Sequence, residues 1–255
     1  MSGDRQIIPI HEGFFNDGYW YVLGSTSLGG SGLTAKEIGD RLQSHEPDVL
    51  QNLLEKGICL PLYFPADCCL DDALIVVGDL TEKEEQEWIG RLQGKLHIPC
   101  GEFMVMGGGL PEDFEEALTQ FSPSDPYNQA FQKVKVTPGT YLVEIYAFAS
   151  SINADELWED AEIDEDDILT WWDETHPNQP IPLWLKFYVG QEDEGDFDLE
   201  EDLVDYIIRL ERLDDESIEV PMPKLDEDVL WCGVYDMRQH KICPEGLSRA
   251  TLLQQ

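Results

Sequence analysis

"KLHIPCGEFMVMGGG", residues 95–109, and "KVKVTPGTYLVEIYA", residues 133–147, decide how this chain is read. Both show the apolar alternation of a half-buried strand. Both then break it, with Pro99 and Gly101 in the first and Pro138 and Gly139 in the second. An aromatic residue follows each break (Phe103, Tyr141), and then a valine (Val105, Val143). Proline removes a ladder donor and glycine permits a sharp bend, so each copy reads as a bend or turn leading into a strand. The sequences upstream of the two copies do not match, so the echo is either shared strand chemistry or a worn duplication.

Working outward, the N-terminal side alternates strands and helices. "GYWYVLG" reads as a strand, and Thr34 caps "AKEIGDRL" with Glu37 three residues on. "PDVLQNLLEKG" has Val49, Leu50, Leu53 and Leu54 on one face, between Pro47 and Gly57. Strands follow at "ICLPLYF" and "ALIVVGDL", and Thr81 opens a helix over "EKEEQEWIGRLQG" with acids in its first turn. A short helix and a Pro/Ser/Asp cluster fill residues 107–132. Beyond them, strands are expected at 133–148, at "PLWLKFYV" (182–189), at "VDYIIRLERL" (204–213) and at "VLWCGVYDM" (229–237), with a short helix near "DEDDILTWWDE". The expected class is α+β: two β-rich units of mainly antiparallel sheet, the first with two or three helices and the second with acidic loops. The units are 1–110 and 133–255, with 111–132 as connector, or else they pack as one continuous domain.

Net charge is the loudest property, −37 over 255 residues, and it is uneven. Residues 1–110 carry −10, 111–152 carry −4, 153–230 carry −24 and 231–255 carry +1. Such a surface repels nucleic acid and anionic membrane and favours basic proteins or cations. No apolar run is long enough to span a bilayer, and "MSGDRQIIPIHEGFF" lacks the basic start and apolar stretch of a secretory signal. Six scattered cysteines without a disulfide-rich spacing then suggest reduced thiols in a cytoplasm. The acidic block is also interrupted by Trp158, Trp171, Trp172, Trp184 and Phe187, which disordered acidic tails lack.

Several motifs invite chemistry. Gly24-Ser25-Thr26-Ser27-Leu28-Gly29-Gly30-Ser31 matches a phosphate loop except that Gly30 replaces the lysine that reaches the β- and γ-phosphates. A plain strand-to-helix connection is the simpler reading, with backbone N–H groups free for at most a small anion. Cys100 sits in a turn, as some nucleophiles do, but none of His11, His45, His97, His176 or His240 lies in a nucleophile signature. Cys232, His240 and Cys243 give three zinc-type ligands, with His176 or Cys59 as a fourth, yet no paired C-x2-C knuckle accompanies them. Asp196, Asp198 and Glu200 alternate within "EDEGDFDLEED" (192–202), so a divalent cation is the one cofactor with any local support, although the helix–loop–helix calcium pattern fails. "PNQPIPLW" (177–184) reads as an extended connector.

The favoured function is an interaction protein, of inhibitor or immunity type, that meets a basic protein partner and binds neither nucleic acid nor membrane. Its expected contact residues are Trp158, Asp164, Asp166, Trp171, Trp172, Asp196, Asp198 and Glu200, aromatics set among carboxylates. The rival is a carboxylate-based, metal-assisted hydrolase with a dispersed site, which requires acids converging on a pocket. The third reading is that the charge serves solubility alone.

Overall fold

The computed structural model describes residues 5–11, 14, 20–44, 46–64, 70, 72–124, 130–151, 154, 165–189, 203–215, 218–220, 238 and 240–254. They form two sheets, mostly antiparallel, with seven α-helices among the described residues. The strands are β1 (Gln6–Pro9), β2 (Trp20–Ser25), β3 (Cys59–Tyr63), β4 (Ala73–Val77), β5 (Gly90–Ile98), β6 (Glu102–Gly107), β7 (Phe131–Lys135), β8 (Gly139–Ala147) and β9 (Tyr206–Arg212). One sheet runs β1-β4-β9-β8-β5 and the other β3-β2-β6-β7; only β4 and β9 pair in parallel. Each sheet takes strands from both sides of residues 111–132.

The echoing segments are two of the places where the chain changes sheet. The first carries it from β5 in the five-stranded sheet, through Pro99-Cys100-Gly101, to β6 in the four-stranded one. The second carries it back, from β7 to β8. Because β5 pairs with β8 and β6 with β7, the two corners lie against each other. Val136 N–H donates to the Gly101 carbonyl at 2.9 Å. Gly101 has φ +72°, and a Cβ there would lie 2.9 Å from the Val136 oxygen, so both conformation and space demand glycine. Gly139 serves differently: a Cβ would sit 2.7 Å from Arg212 Nε. Tyr141 Oη ties the second corner by donating to the Thr137 carbonyl at 2.5 Å.

Alternation along these strands places one face inward. Leu92, Leu96, Tyr141, Val143, Ile145, Ile208 and Leu210 meet Tyr21, Leu23, Leu60, Leu62, Phe103, Val105 and Val134 of the opposite sheet in the main core. Helices α1 (Ala35–Gln43), α2 (Pro47–Glu55) and α4 (Pro111–Thr119) cover the outer face of the four-stranded sheet. There Ile38, Leu42, Leu50, Leu53, Phe114 and Ala117 bury Val22, Met104, Met106 and Phe131. Thr34 and Glu37 form the expected capping box, and Thr81 forms another with Glu84. The outer face of the five-stranded sheet packs Leu74, Val76, Tyr146, Phe148 and Ile207 against Trp88, Leu247 and Leu252, the last from α7 (Arg249–Leu252).

Two expectations are corrected. The helix opened by Thr81 is only α3 (Glu82–Glu87); it stops at Trp88, and residues 90–98 form β5. Inward-facing Leu92, Leu96 and Ile98 need the period-2 placement that a helix would break. Residues 182–189 are not a strand: Leu183–Tyr188 is helix α6, begun by the Lys186 N–H bond to the Pro182 carbonyl. With α5 (Glu165–Thr175), the helix expected near "DEDDILTWWDE", it adds Ile168, Trp172, Trp184 and Leu185 to the main core. The strand expected at 229–237 lies outside the described residues.

Candidate functional site

The glycine loop is closed by its own hydrogen bonds. After β2, a 3-10 turn spans Leu28–Gly30, and the chain then runs to the Thr34 cap. Thr26 N–H donates to the Glu102 carbonyl, Gly29 N–H to Ser25 Oγ, Gly30 N–H to the Ser27 carbonyl, Ser31 N–H to the Leu28 carbonyl and Leu33 N–H to Ser31 Oγ. A phosphate cradle needs those donors pointing outward and unused. Here they hold the loop itself, so the missing lysine and the consumed donors agree.

Cys100 lies beside this loop at the first corner. Its Sγ is 3.5 Å from Thr26 Oγ1 and 3.6 Å from the Glu102 carbonyl. Partial burial works against the thiolate, but hydrogen bonds from Ser27, Thr26 and nearby backbone outweigh it and hold the thiol below its ordinary range. His97, three residues away, turns its Nδ1 to Thr140 Oγ1 at 2.9 Å across the strand pair. Cys59 and Cys243 are buried, and burial pushes both thiols up to about 12.

Of the residues expected to face a partner, Trp171 is half-buried against the main core and Trp172 lies within it. The Trp172 ring stacks on His176 with centroids 4.0 Å apart, and His176 Nε2 is 3.7 Å from Glu245. Asp166 falls in α5 with its side chain outside the description, as are Trp158, Asp164, Asp196, Asp198 and Glu200 altogether. Of the zinc ligands considered, Cys232 lies outside the described residues, His240 Nε2 meets the Trp88 carbonyl at 2.8 Å, and Cys243 packs in the main core. Among the described residues no group of three or more His, Cys, Asp or Glu side chains is placed to hold a metal ion. No helix among them is long and apolar enough to cross a membrane.

Two described carboxyl groups are held above their ordinary range, both chiefly by burial: Glu87 and Asp113. Each has a structural task. Glu87 Oε2 accepts the N–H groups of Glu245 and Gly246, and Asp113 accepts that of Leu110 at the start of α4. Glu87 ends α3 on the five-stranded side, while Asp113 begins α4 on the four-stranded side, so they do not converge on one pocket.

The charge feature that sequence reading misses is a row across the outer face of the five-stranded sheet. Gln93, Glu144 and Arg209 are register partners on β5, β8 and β9. Glu144, whose side chain is 3% exposed, accepts from Gln93 Nε2 at 2.6 Å and Arg209 Nη1 at 2.5 Å, with Arg91 at 3.6 Å. Arg209 also reaches the Gly78 carbonyl, Asp79 and Glu211. Burial works against its charge, but the Glu144 hydrogen bond and attraction outweigh that and raise its pKa. A charge set among apolar strand residues, Glu144 in "YLVEIYA" and Arg209 in "YIIRL", is the signal that could have found this pair. Arg5 is likewise paired, with the fully buried Glu84.

No protein-family model matches the sequence, and no curated protein matches it significantly. Among solved structures, one described as "Crocagin biosynthetic gene J" is similar at a TM-score of 0.32 and 9% identity, over 82% of this chain and 95% of that one. Another, "ComJ, inhibitor of the DNA degrading activity of NucA, from Bacillus subtilis", has a TM-score of 0.29 and 8% identity, over 84% of this chain and 98% of that one. Likeness of this degree assigns the chain neither a family nor a function.

Proposed function

We propose that this protein is a non-enzymatic interaction protein, of inhibitor type, whose acidic surface engages a basic protein partner. The observation that carries the reading is the charge of −24 concentrated in residues 153–230. The fate of the cations supports it. Arg5, Arg91 and Arg209 are drawn onto the outer face of the five-stranded sheet and paired with Glu84 or Glu144, both buried. They therefore offset internal carboxylates more than surface ones. Trp172 and Trp184 anchor the described helices of the block in the main core, so the block is tied to a packed body.

The test is capture on the immobilised protein beside a variant in which the acids of residues 192–202 are changed to their amides. The proposal expects a discrete basic protein on the wild-type column, eluting as salt shortens the screening length below about 8 Å. It expects that protein to elute earlier from the amide variant. Recovery of nothing, or equal retention on both columns, refutes it.

A further inference from the structure

Strand β5 closes one side of the five-stranded sheet, and among the described residues β8 is its only strand partner. Its outer edge is touched at both ends. His97 N–H donates to the Gly57 carbonyl at 2.9 Å, and the Ile89 carbonyl, one residue before the strand, accepts from Arg238 N–H at 2.9 Å. Backbone groups alternate sides along a strand, so Arg91, Gln93 and Lys95 turn theirs to that same edge. A long edge strand is a template for pairing, which folded proteins answer by pairing, covering or bending it.

The contacts that follow Arg238 give the direction of the chain at this edge. His240 Nε2 meets the Trp88 carbonyl at 2.8 Å, and the N–H groups of Glu245 and Gly246 donate to Glu87 at 2.7 and 3.0 Å. As residue numbers rise from 238 to 246, their partners fall from 89 to 87. Arg238 is fixed on this course by its guanidinium, which donates to the Glu85 and Gln86 carbonyls and lies 4.4 Å from the centre of the Trp88 ring. Traced backwards, the residues before 238 run along β5 and antiparallel to it. They are "VLWCGVYDM" (229–237), the alternating segment that reads as a strand in the sequence.

We propose that residues 231–237 dock on the outer edge of β5 as a sixth, antiparallel strand of that sheet. Extending the ladder from the Arg238–Ile89 bond sets Asp236 opposite Arg91, Val234 opposite Gln93 and Cys232 opposite Lys95, and the Gly57 contact at His97 ends it there. The same register puts Tyr235 and Trp231 on the inward face beside Leu92 and Leu96 of the main core, with Gly233 opposite Gly94. Asp236, the one charge in 229–237, falls on the outward face with Arg91. A slip of one residue would send Asp236 inward and both aromatics out. The docked strand closes the β5 edge to partner strands and to a second copy of the chain. It also ties the acidic stretch 214–228, seven acids against one lysine, to one end of the sheet. Arg212, where β9 ends, lies opposite Tyr141, which lies opposite Leu96, where the new strand begins. The two attachments are thus three strand spacings apart, about 14 Å. A loop so closed presents its charge from a fixed place; that consequence rests on the reading of the protein as a binder of basic partners, and the pairing does not.

The test is a cross-link in the full chain. Opposed hydrogen-bonded residues of an antiparallel pair have Cα atoms about 5.5 Å apart, within the span of a disulfide. In a Cys100→Ser background, Lys95→Cys should join native Cys232 on mild oxidation in most molecules, as mapped by peptide mass spectrometry. Gln93→Cys and His97→Cys should join it at least fivefold less. The unsubstituted protein supplies a second readout. Amide exchange at Arg91, Gln93 and Lys95, followed by NMR, should be at least a hundredfold slower than in an unstructured chain, and Asp236→Pro should speed it at least tenfold. The pairing is overturned if no disulfide forms at Lys95→Cys, if Gln93→Cys or His97→Cys is preferred, or if the cross-link joins two chains. Fast exchange at those amides in the unsubstituted protein, or exchange indifferent to Asp236→Pro, overturns it equally. The capture experiment decides the binding reading separately.

Discussion

Removing Arg209 should destabilise the protein more than removing Glu144, although the two form one ion pair. In Arg209→Met, the Glu144 carboxylate stays buried, keeping the Gln93 amide, the Tyr146 hydroxyl and Arg91 at 3.6 Å. Stranding one member of a buried pair costs about 3–5 kcal/mol, and the partly exposed Arg91 brings the expected figure to about 3 kcal/mol. In Glu144→Gln, Arg209 keeps the Gly78 carbonyl at 2.9 Å, Asp79 at 3.1 Å and Glu211 at 2.9 Å, and both acids are solvent-accessible. The expected cost is about 1–2 kcal/mol, that of one charged hydrogen bond. Arg209→Met with Glu144→Gln removes both charges and should be milder than Arg209→Met alone, giving a coupling of about 2 kcal/mol in the double-mutant cycle. Urea denaturation at pH 7, followed by far-ultraviolet circular dichroism, measures all three, with an unchanged m-value as the control for two-state behaviour. Additive effects, or a larger loss in Glu144→Gln than in Arg209→Met, would refute the reasoning.

Gly39→Ala in α1 should lower stability by about 1 kcal/mol or more on thermal melting. The new Cβ would lie 2.6–2.8 Å from Pro111 atoms, and overpacking of about 1–3 kcal/mol offsets the helix-propensity gain of about 1 kcal/mol; a rise in Tm contradicts the packing. Cys100 should alkylate faster at pH 7.5 than Cys59 or Cys243, by site-resolved mass spectrometry, and Ser27→Ala should slow it; equal rates would deny the hydroxyl support of its thiolate. Glu87, raised by burial, contributes stability in full below its unfolded value of 4.5 and loses it as pH rises through its higher folded value. Glu87→Gln keeps an acceptor for Glu245 and Gly246 without the charge, so its stability relative to wild type should climb between pH 4 and pH 7 in urea titrations. A pH-independent difference rules that out.

Much of the fold was legible because local signals and tertiary needs coincide. The Thr34 and Thr81 boxes were readable as helix starts, and the Pro/Gly breaks in the two echoing segments as bends, although not as sheet crossings. Sheet crossing depends on which strands pair, and nothing local states that. "IGRLQGKLHI" misled because Gly90 and Gly94 occupy inward positions, which hides the alternation. Gly94 is there because a Cβ would come 3.0 Å from Leu60 of the facing sheet. "PLWLKFYV" is an apolar run broken by Lys186 alone, too short and uniform to distinguish a strand from a buried helix by period, and Pro182 as a helix start was the better signal. On the site side, charge totals pointed to residues 153–230. They could not show that Trp172 faces the core, nor that Phe121 is left exposed, because orientation is a property of packing.

A chain this acidic folds because its charges are sorted. The inner faces of both sheets are almost wholly apolar, so the main core carries no electrostatic debt. Glu84 and Glu144, carboxylates at buried positions, receive Arg5 and Arg209, the second with support from Arg91 and Gln93. That assignment uses scarce cations where low dielectric makes each one count most. Exposed acids are then left largely to water and salt, where repulsion between them is screened within about a Debye length. The same sorting that permits folding therefore leaves an uncompensated anionic exterior. A surface of that kind attracts a basic partner from a distance, but diffuse charge cannot fix the partner's register. Register requires a rigid, directional contact besides. On this view the charge of residues 153–230 sets the encounter rate with a basic partner and its salt dependence. Amide substitution in 192–202 should accordingly slow association of a basic partner and leave its dissociation nearly unchanged, which stopped-flow mixing separates. An association rate unchanged by those substitutions would refute that role for the acidic block.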